Sequence, residues 1–245
     1  EGSLPVRARF LRRPLRARSR DQRAELGAIL SVLRPGDTAV DVGANKGSYT
    51  YWLSRAAGPG RVVAFEPQQE LADYLRLAAR VLPMRNLTVE SRGVSGRSGT
   101  LALHVPGSGP SPGASFEMAV AAHASCHHVE VPVVALDEYF GPDEPIRVVK
   151  VDVEGHEPEV FRGAQRILER DGPLLVFECE QRHLSTGTVR DVLDYLRGFG
   201  YDGHFVHRSG LAPLSAFRPE LHQRAGPGPF RRDQDYSNNF ILRRG

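Results

Sequence analysis

The 245-residue chain has few cysteines and no long apolar segment. Its two cysteines, Cys126 and Cys179, are too few for a disulfide framework or a cysteine-rich zinc site. No apolar run approaches the roughly 18 residues that span a bilayer, and the first residues lack the apolar core of a secretory signal. We therefore expect no membrane span and a cytoplasmic location.

Lysine is scarce, because only Lys46 and Lys150 are lysines among 32 basic residues. This indicates a coding bias towards arginine, so the net charge of +3 says little about nucleic-acid binding. Residues 1–23 hold eight arginines and two acidic residues, a local charge of +6. We interpret residues 1–20 as a solvated, partly helical basic arm. The alternative is a contact with an anionic substrate, a membrane surface or nucleic acid.

Strands and helices alternate after the arm, without an internal repeat. Several predicted strands are almost continuously apolar, as is typical of parallel strands buried on both faces. The predicted strands are 38–42, 61–65, 87–91, 100–105, 146–153, 174–179, 201–207 and 238–242. The predicted helices are 21–33, 47–57, 68–82, 157–170 and 189–199. This order predicts an α/β fold with a doubly wound, mostly parallel sheet in one domain over residues 21–245, with variable loops at 106–128 and 209–236.

A glycine-rich loop with the sequence DVGANKG, residues 41–47, follows the first predicted strand. In an open parallel sheet, ligands bind beyond the carboxyl ends of the strands. A dinucleotide fingerprint needs glycine at positions 43, 45 and 48, where this chain has Gly43, Asn45 and Ser48. The Asn45 side chain disfavours a pyrophosphate. The loop therefore favours S-adenosylmethionine, whose methionine arm can lie across such a turn.

Glu66 ends the second predicted strand, about twenty residues after the loop. A carboxylate at this position accepts hydrogen bonds from both hydroxyls of a ribose. The feature suits NAD as well as S-adenosylmethionine, so it indicates a nucleoside without choosing between them. The structural alternatives are that Gly43 only makes a turn and that Glu66 is a solvated strand end.

An acidic block with the sequence KVDVEGHE, residues 150–157, ends the strand predicted to lie beside the first one. Lys150, Asp152 and Glu154 share one parity, so they face the same side while the strand continues. Charged groups in a buried strand are costly unless they are paired or functional. We predict Asp152 or His156 as a general base, with Lys150 and Glu154 in the same catalytic group; a buried Lys150–Asp152 ion pair is the structural alternative. Glu178, which ends the next strand, could orient the base or bind a substrate hydroxyl.

Metal ligation receives less support from the sequence. The oxygen ligands around the acidic block could hold Mg²⁺, but we assign no metal-binding residue. His123, Cys126, His127 and His128 have the residue types of a metal site, yet the sequence offers them no partner ligands. We interpret this second group as a polar loop.

Several stretches, in order along residues 35–180, resemble the FkbM family of methyltransferases. The K-x-D-x-E-G-x-E block is the most specific of them. The stretches are DVGANKGSYT (41–50), FEP (65–67), NLTVESRGVSGRSGTLAL (86–103), ALDEYF (135–140), KVDVEGHEPEVFRGA (150–164) and LLVFE (174–178), with a weaker match at SNNFIL (237–242). The basic arm and segment 106–128 depart from the family pattern, so the acceptor stays undetermined.

The resemblance implies a Rossmann-like class I methyltransferase fold with seven strands and S-adenosylmethionine as cofactor. It also implies methyl transfer to a hydroxyl of a sugar, a polyketide or another product of secondary metabolism. Ser95 is expected near the adenine. The predicted cofactor-binding residues are Asp41, Gly43, Ala44, Asn45, Gly47, Tyr49, Glu66, Pro67, Ser95 and Asp152.

Three other functions compete with this one. An NAD(P)-dependent oxidoreductase would share the fold but is disfavoured by Asn45. A catalytically silent nucleoside-binding scaffold is disfavoured by the intact acidic block. A nucleic-acid methyltransferase could use the basic arm, but the chain lacks the N/D-P-P-Y/F tetrapeptide typical of adenine methylation. We therefore expect a small-molecule hydroxyl acceptor and no nucleic acid, with the oligomeric state undetermined.

Overall fold

The computed structural model describes residues 3–121, 125–208, 210–224 and 235–245. The strands in these residues are β1 (Thr38–Val42), β2 (Arg61–Phe65), β3 (Leu87–Glu90), β4 (Gly93–Val94), β5 (Gly99–Pro106), β6 (Cys126–Val134), β7 (Ile146–Val151), β8 (Leu174–Glu178), β9 (Tyr201–His207), β10 (Gly210–Pro213) and β11 (Asn239–Arg244). The helices are α1 (Ser3–Arg16), α2 (Arg23–Val32), α3 (Thr50–Ala57), α4 (Gln69–Val81), α5 (Met118–Ala121), α6 (Leu136–Tyr139), α7 (Glu157–Arg162), α8 (Gln165–Arg170), α9 (Val189–Gly198) and α10 (Pro219–His222).

The large sheet has the strand order β10-β9-β11-β8-β7-β1-β2-β3. Strands β8, β7, β1, β2 and β3 run parallel, whereas β11 pairs antiparallel with both β8 and β9. The predicted doubly wound, mostly parallel α/β sheet is therefore confirmed. The order reverses between β1 and β7, where the ligand site was predicted. Strand β10 adds an eighth strand to the expected seven.

Helices cover both faces of this sheet. Val40 and Val42 of β1 pack into the apolar cluster that includes side chains of α7, α8 and α9. Ala39 points to the other face, into the cluster with α2 and α3. Burial on both faces explains the continuous apolar runs in the sequence. Of the helices in the described residues, none has the length and apolarity that crossing a bilayer requires.

A second, three-stranded sheet has the order β4-β6-β5. The predicted strands at 87–91 and 100–105 were expected to lie around one turn, but β3 pairs with β2 and β5 pairs antiparallel with β6. The prediction of a polar loop around Cys126, His127 and His128 was also wrong, because these residues begin β6. The alternation of buried and exposed residues that is typical of a strand is confined to the second half of β6, where Val131 and Val133 are buried.

The predicted helix at 157–170 is broken at Gly163 into α7 and α8. A Cβ atom at this position would lie 2.2 Å from the carbonyl oxygen of Ser95. Val160 and Ile167 are fully buried on either side of the break. The helical spacing of apolar residues therefore persists although the helix itself does not.

The basic arm is not the solvated segment that its composition predicts. Phe10 of α1 is 6% exposed, and its ring lies 5.0 Å from that of Tyr74 in α4. The indole nitrogen of Trp52 donates to the carbonyl of Pro14 at 2.8 Å. One stripe of α1 thus packs on the domain, while its arginines stay at least partly exposed to solvent.

Candidate cofactor and active site

A cleft opens at the carboxyl ends of β1, β2, β7 and β8. Most of the predicted site residues line it, namely Gly43, Ala44, Asn45, Tyr49, Glu66, Pro67, Lys150, Asp152, Glu154 and Glu178. Four others lie outside its surface, namely Asp41, Gly47, Ser95 and His156. The sheet therefore brings together the glycine loop, Glu66 and the acidic block, which are far apart in sequence.

The glycine loop has a backbone that depends on glycine. Gly43 has φ +73°, and a Cβ atom there would lie 1.8 Å from the carbonyl oxygen of Asp152. The loop and the end of β7 are this close because the Asp152 amide donates to the carbonyl of Val42 at 3.1 Å. Asn45 also has a positive φ, of 48°. Gly47, at φ +77°, lies against Leu75 and shapes the loop from behind.

Glu66 is held by the backbone of the glycine loop and of the residue that precedes α4. Its Oε2 accepts from the Asn45 amide at 2.8 Å, and its Oε1 accepts from the Gln68 amide at 3.0 Å. Burial raises the pKa of Glu66, although these two donors oppose the rise. Each carboxylate oxygen can accept a second hydrogen bond. Oε1 also accepts a long hydrogen bond from Nε2 of Gln68 at 3.4 Å, so the side chain is fixed in place and Oε2 keeps an acceptor position for a ribose hydroxyl.

An apolar wall complements this acid. Val94, Leu103 and Phe116 all line the cleft. Phe116 lies against Gly93, where a Cβ atom would be 2.5 Å from its ring. A carboxylate for the ribose and an apolar wall for a purine together fit the nucleoside of S-adenosylmethionine. Ser95, which was expected near the adenine, follows this wall in sequence but does not line the cleft, and its hydroxyl lies 2.9 Å from Nε2 of His156.

Lys150 joins the glycine loop to the acidic block. Its side chain is 5% exposed, and its Nζ donates to the carbonyl of Gly43 at 2.9 Å. It lies 3.3 Å from Asp41, 3.6 Å from Asp152 and 5.1 Å from the ring centre of Tyr49. Burial lowers the pKa of Lys150, but the two carboxylates more than offset this and raise it. Lys150 is therefore a charged structural link, as the ion-pair alternative predicts.

Asp41 lies beneath the loop rather than on the cleft surface. It is fully buried and accepts from the hydroxyl of Thr50 at 2.5 Å. Its other oxygen faces Lys150. Asp41 therefore stabilises the loop from below and does not line the space for the cofactor.

Asp152 is the accessible carboxylate at the end of β7, with a side chain that is 32% exposed. Desolvation raises its pKa, Lys150 opposes the rise, and the negative charge of Glu154 adds to it. Glu178 accepts from the amide of Asn238 at 2.7 Å, and burial, followed by the charges of Asp152 and Glu154, raises its pKa well above the usual range. The floor of the cleft is thus a group of like charges that favours bound protons.

Glu154 has a partner that the sequence did not reveal. Its carboxylate lies 3.0 Å from Nδ1 of His183, and its carbonyl accepts from the hydroxyl of Ser115 at 2.6 Å. Its φ of +54° turns the chain away from β7. His183 follows β8 in a segment without a recognisable motif, so no sequence signal pointed to it.

His156 is not placed to act on a substrate. It is 4% exposed and does not line the cleft. Its Nδ1 lies 2.7 Å from Glu117 and its Nε2 lies 2.9 Å from the hydroxyl of Ser95. Because both ring nitrogens have partners, the structure contradicts His156 as the base and gives it a supporting role behind the apolar wall.

Gln68 is a further residue of the site, and it was not among the predicted site residues. Its side chain forms two hydrogen bonds with the backbone of Ser111, with Nε2 donating at 2.9 Å and Oε1 accepting at 2.8 Å. The backbone amide of Gln68 donates to the carboxylate of Glu66. Gln68 therefore ties the predicted variable segment 106–128 to the acid of the cofactor site. Its position directly after the FEP stretch was the available signal.

Two more residues of the cleft come from outside the recognised motifs. Arg13 of α1 and Gln22, which precedes α2, both line it. By sequence, Arg13 belongs to the basic arm and Gln22 to the start of the first predicted helix. The arm thus reaches the site.

No group of three or more His, Cys, Asp or Glu side chains suited to a metal ion occurs in the parts of the chain that the structure describes. Of the predicted histidine and cysteine group, His123 lies outside the described residues. Cys126 pairs with Pro106 across β6 and β5, and His127 bonds the carbonyl of Gly107 at 2.8 Å.

The sequence matches the model of the FkbM methyltransferase domain over residues 41–202. It is also similar to the hexuronic acid methyltransferase AglP of Haloferax volcanii, with 32% identity over 168 residues. That match covers 62% of this chain and 61% of AglP. The chain therefore spans less than two thirds of the length of this curated relative.

Solved structures give the same fold. An FkbM methyltransferase from Methylobacillus flagellatus KT superimposes with a TM-score of 0.51 at 17% identity, covering 87% of this chain and 48% of that one. A candidate rRNA methylase from Clostridium thermocellum also gives a TM-score of 0.51, at 14% identity, covering 90% and 94% of the two chains. At these identities the likeness concerns the fold alone.

The matches separate the competing functions. The family model covers the glycine loop, Glu66 and the acidic block in one alignment, which no NAD(P)-dependent oxidoreductase would explain. The predictions of a methyltransferase and of S-adenosylmethionine as its cofactor are confirmed at the level of the family. This chain belongs to the FkbM family of methyltransferases.

Proposed function

We propose that this protein methylates a hydroxyl group of an acidic sugar, with Asp152 as the general base. The observation that carries the proposal is the partly exposed carboxylate of Asp152 in the cleft, at the end of a central strand and beside Lys150. The name of the relative AglP supports a hexuronic acid as the class of acceptor.

The cofactor would be held by the glycine loop, by Glu66 and by the apolar wall. When bound, S-adenosylmethionine supplies a methyl group that is already activated by its positively charged sulfur. Glu66 accepts from a ribose hydroxyl, while the Asn45 and Gln68 amides keep its carboxylate in place. The protein then has to orient the acceptor, and orientation can contribute up to ~7–11 kcal/mol.

Asp152 supplies the remaining chemistry. An alcohol is a poor nucleophile until its proton leaves, and a positioned base contributes about 10²–10⁴-fold. Asp152 takes the hydroxyl proton while the acceptor oxygen forms its bond to the methyl carbon, with the electron pair of the broken bond left on sulfur. Lys150 keeps the Asp152 carboxylate oriented. Glu178 is placed to bind a second hydroxyl of the sugar.

The acceptor in this proposal is a small molecule and not a nucleic acid. The acidic floor formed by Asp152, Glu154 and Glu178 disfavours the closely repeated phosphates of a nucleic acid, whereas a sugar presents a hydroxyl to Asp152 with its single carboxylate directed out of the cleft. We also propose a cytoplasmic location, which accords with the small number of cysteines in the chain, two in 245 residues.

Replacing Glu66 by glutamine is expected to weaken S-adenosylhomocysteine binding at least ~10-fold, because a charge-assisted hydrogen bond contributes ~1.5–3 kcal/mol. Isothermal titration calorimetry measures the affinity. Glu70→Gln, an exposed change in the first turn of α4, is the matched control and should bind like the wild type. Equal affinities of the two variants would contradict the role of Glu66 in cofactor binding. Binding of NAD in place of S-adenosylhomocysteine would contradict the cofactor assignment.

The acceptor class is tested with isotopically labelled S-adenosylmethionine and a panel of glucuronic, galacturonic and neutral sugar glycosides. We expect label in the uronic acids and none in the neutral sugars. Because a methyl ether survives mild alkali and a methyl ester does not, the label should be alkali-stable. Alkali-labile label would mean transfer to the carboxylate and would refute hydroxyl methylation.

A further inference from the structure

The cleft contains a cation without an acidic partner. Arg13 of α1 lines the cleft, and its Nη1 lies 3.4 Å from Oδ1 of Asn45 in the glycine loop. No carboxylate in the described ranges forms an ion pair with Arg13, whereas Arg16 on the same helix pairs with Asp21 at 2.7 Å. The other cation of the cleft, Lys150, is held by two carboxylates. Arg13 is thus available to an anionic ligand.

The same cleft is also lined by a residue with a hydrogen-bond acceptor atom that has no hydrogen-bond donor. Oε1 of Gln22 is buried and has no hydrogen-bond partner in the structure. A buried polar atom without a partner costs about 1–3 kcal/mol, so native proteins rarely leave one unless a ligand or a water completes it. Gln22 follows Arg13 after the last turn of α1, which ends at Arg16, and a π-helical turn, Ala17–Asp21.

A free cation and an unsatisfied acceptor together complement an amino-acid group, which carries one carboxylate and one ammonium. We propose that Arg13 and Gln22 bind the amino-acid end of S-adenosylmethionine. The guanidinium of Arg13 binds the carboxylate, and Oε1 of Gln22 accepts from the ammonium group. This inference rests on the proposed function, because it assigns residues to one end of its cofactor.

The charges elsewhere in the cleft support this orientation. The floor consists of the carboxyl groups of Asp152, Glu154 and Glu178, and its cation, Lys150, is already paired, so a ligand carboxylate finds no free partner there. Glu66 and the apolar wall fit the nucleoside. Arg13 contacts Asn45, so its guanidinium lies on the glycine-loop side of the cleft. The methionine arm of the cofactor would therefore lie on that side. Helix α1 therefore completes the cofactor site and distinguishes this cofactor from simpler adenosine compounds.

Two ligands that differ at the amino-acid end test the proposal on the full chain. S-adenosylhomocysteine has the amino acid, whereas 5′-methylthioadenosine lacks it. We expect Arg13→Gln to weaken S-adenosylhomocysteine roughly tenfold or more and to leave methylthioadenosine unchanged, as measured by calorimetry. Gln22→Leu should show the same selectivity. Arg12→Gln, an exposed neighbour on α1 that does not line the cleft, is the matched control.

The outcomes are distinct. Loss of S-adenosylhomocysteine affinity alone, with partial recovery in Arg13→Lys, supports the proposal. Unchanged affinity in both Arg13→Gln and Gln22→Leu overturns it and leaves the proposed function standing. An equal loss for both ligands also overturns it, because Arg13 would then act on the fold as a whole. If neither ligand binds the wild type, the proposed function itself fails.

Discussion

Replacing Asp152 by asparagine is expected to reduce turnover by about 10²–10⁴-fold, the usual contribution of a positioned general base. Asparagine has nearly the same size but cannot take a proton from an alcohol. Affinity for S-adenosylhomocysteine should change little, because the lost interaction belongs to the transition state. The measurement is a single-turnover rate with saturating cofactor and a uronic acid acceptor.

Asp143→Asn serves as the control, since Asp143 is exposed and lies before β7 rather than after it. It should retain the wild-type rate. If Asp152→Asn also retains that rate, Asp152 only balances the charge of Lys150, and the base must be sought at Glu178.

The pH dependence of the wild type follows from the same residue. An ordinary aspartate has a pKa of about 3.9. Because desolvation raises the pKa of Asp152, its carboxylate becomes protonated at a higher pH than that of an ordinary aspartate. Only the ionised form can accept a proton, so the rate should fall as the pH drops through this raised pKa. Asp152→Asn should remove that inflection. An inflection that persists in the variant would assign it to another group.

The second large effect is expected for Gly43→Ala. Alanine at φ +73° costs about 1–2 kcal/mol, and its Cβ would collide with the Asp152 carbonyl at 1.8 Å. Relief of the collision would separate the glycine loop from the end of β7. We expect a loss of about 3 kcal/mol or more of unfolding free energy, a fall in Tm of roughly 6–12 °C, and loss of detectable cofactor binding.

Gly27→Ala is the matched control, because Gly27 lies inside α2 with nothing within 4 Å of a Cβ atom. This change should stabilise the protein by up to about 1 kcal/mol, owing to the higher helix propensity of alanine. Equal melting temperatures for the two variants would show that the loop can move away from β7 at little cost.

The parts of the fold that the sequence predicted were those set by local patterns. The strands at 38–42 and 61–65 were predicted with the observed bounds, because apolar runs between turn residues reflect burial directly. The strand at 201–207 also has the predicted bounds, although only Tyr201 and Phe205 in it are buried. Gly43 and Glu66 could be placed in the cleft because the topology of a parallel sheet brings strand ends together. These predictions needed no knowledge of distant contacts.

The remaining features depend on tertiary contacts. Helix α1 is rich in arginine, so its packing through Phe10 onto α4 was hidden by composition. The first half of β6, residues 126–130, is polar and mostly exposed, and it is held in the sheet by backbone pairing with β5. Such a strand has no alternation of apolar side chains by which the sequence could predict it. His156 had the chemistry of a base in the sequence. Only the positions of Glu117 and Ser95, which occupy both ring nitrogens, show that it faces away from the cleft.

The position of β11 has a consequence for folding during synthesis. Residues 239–244 form the strand between β8 and β9, and Phe240 and Leu242 are fully buried there. On the ribosome, β9 and β10 emerge earlier but have no place in the sheet until β11 arrives between them and β8. The nascent chain therefore has an unpaired edge on β8 while the sixty residues 179–238 are translated, at roughly 5–20 residues per second. Over those seconds a chaperone can shield the edge from pairing with another chain.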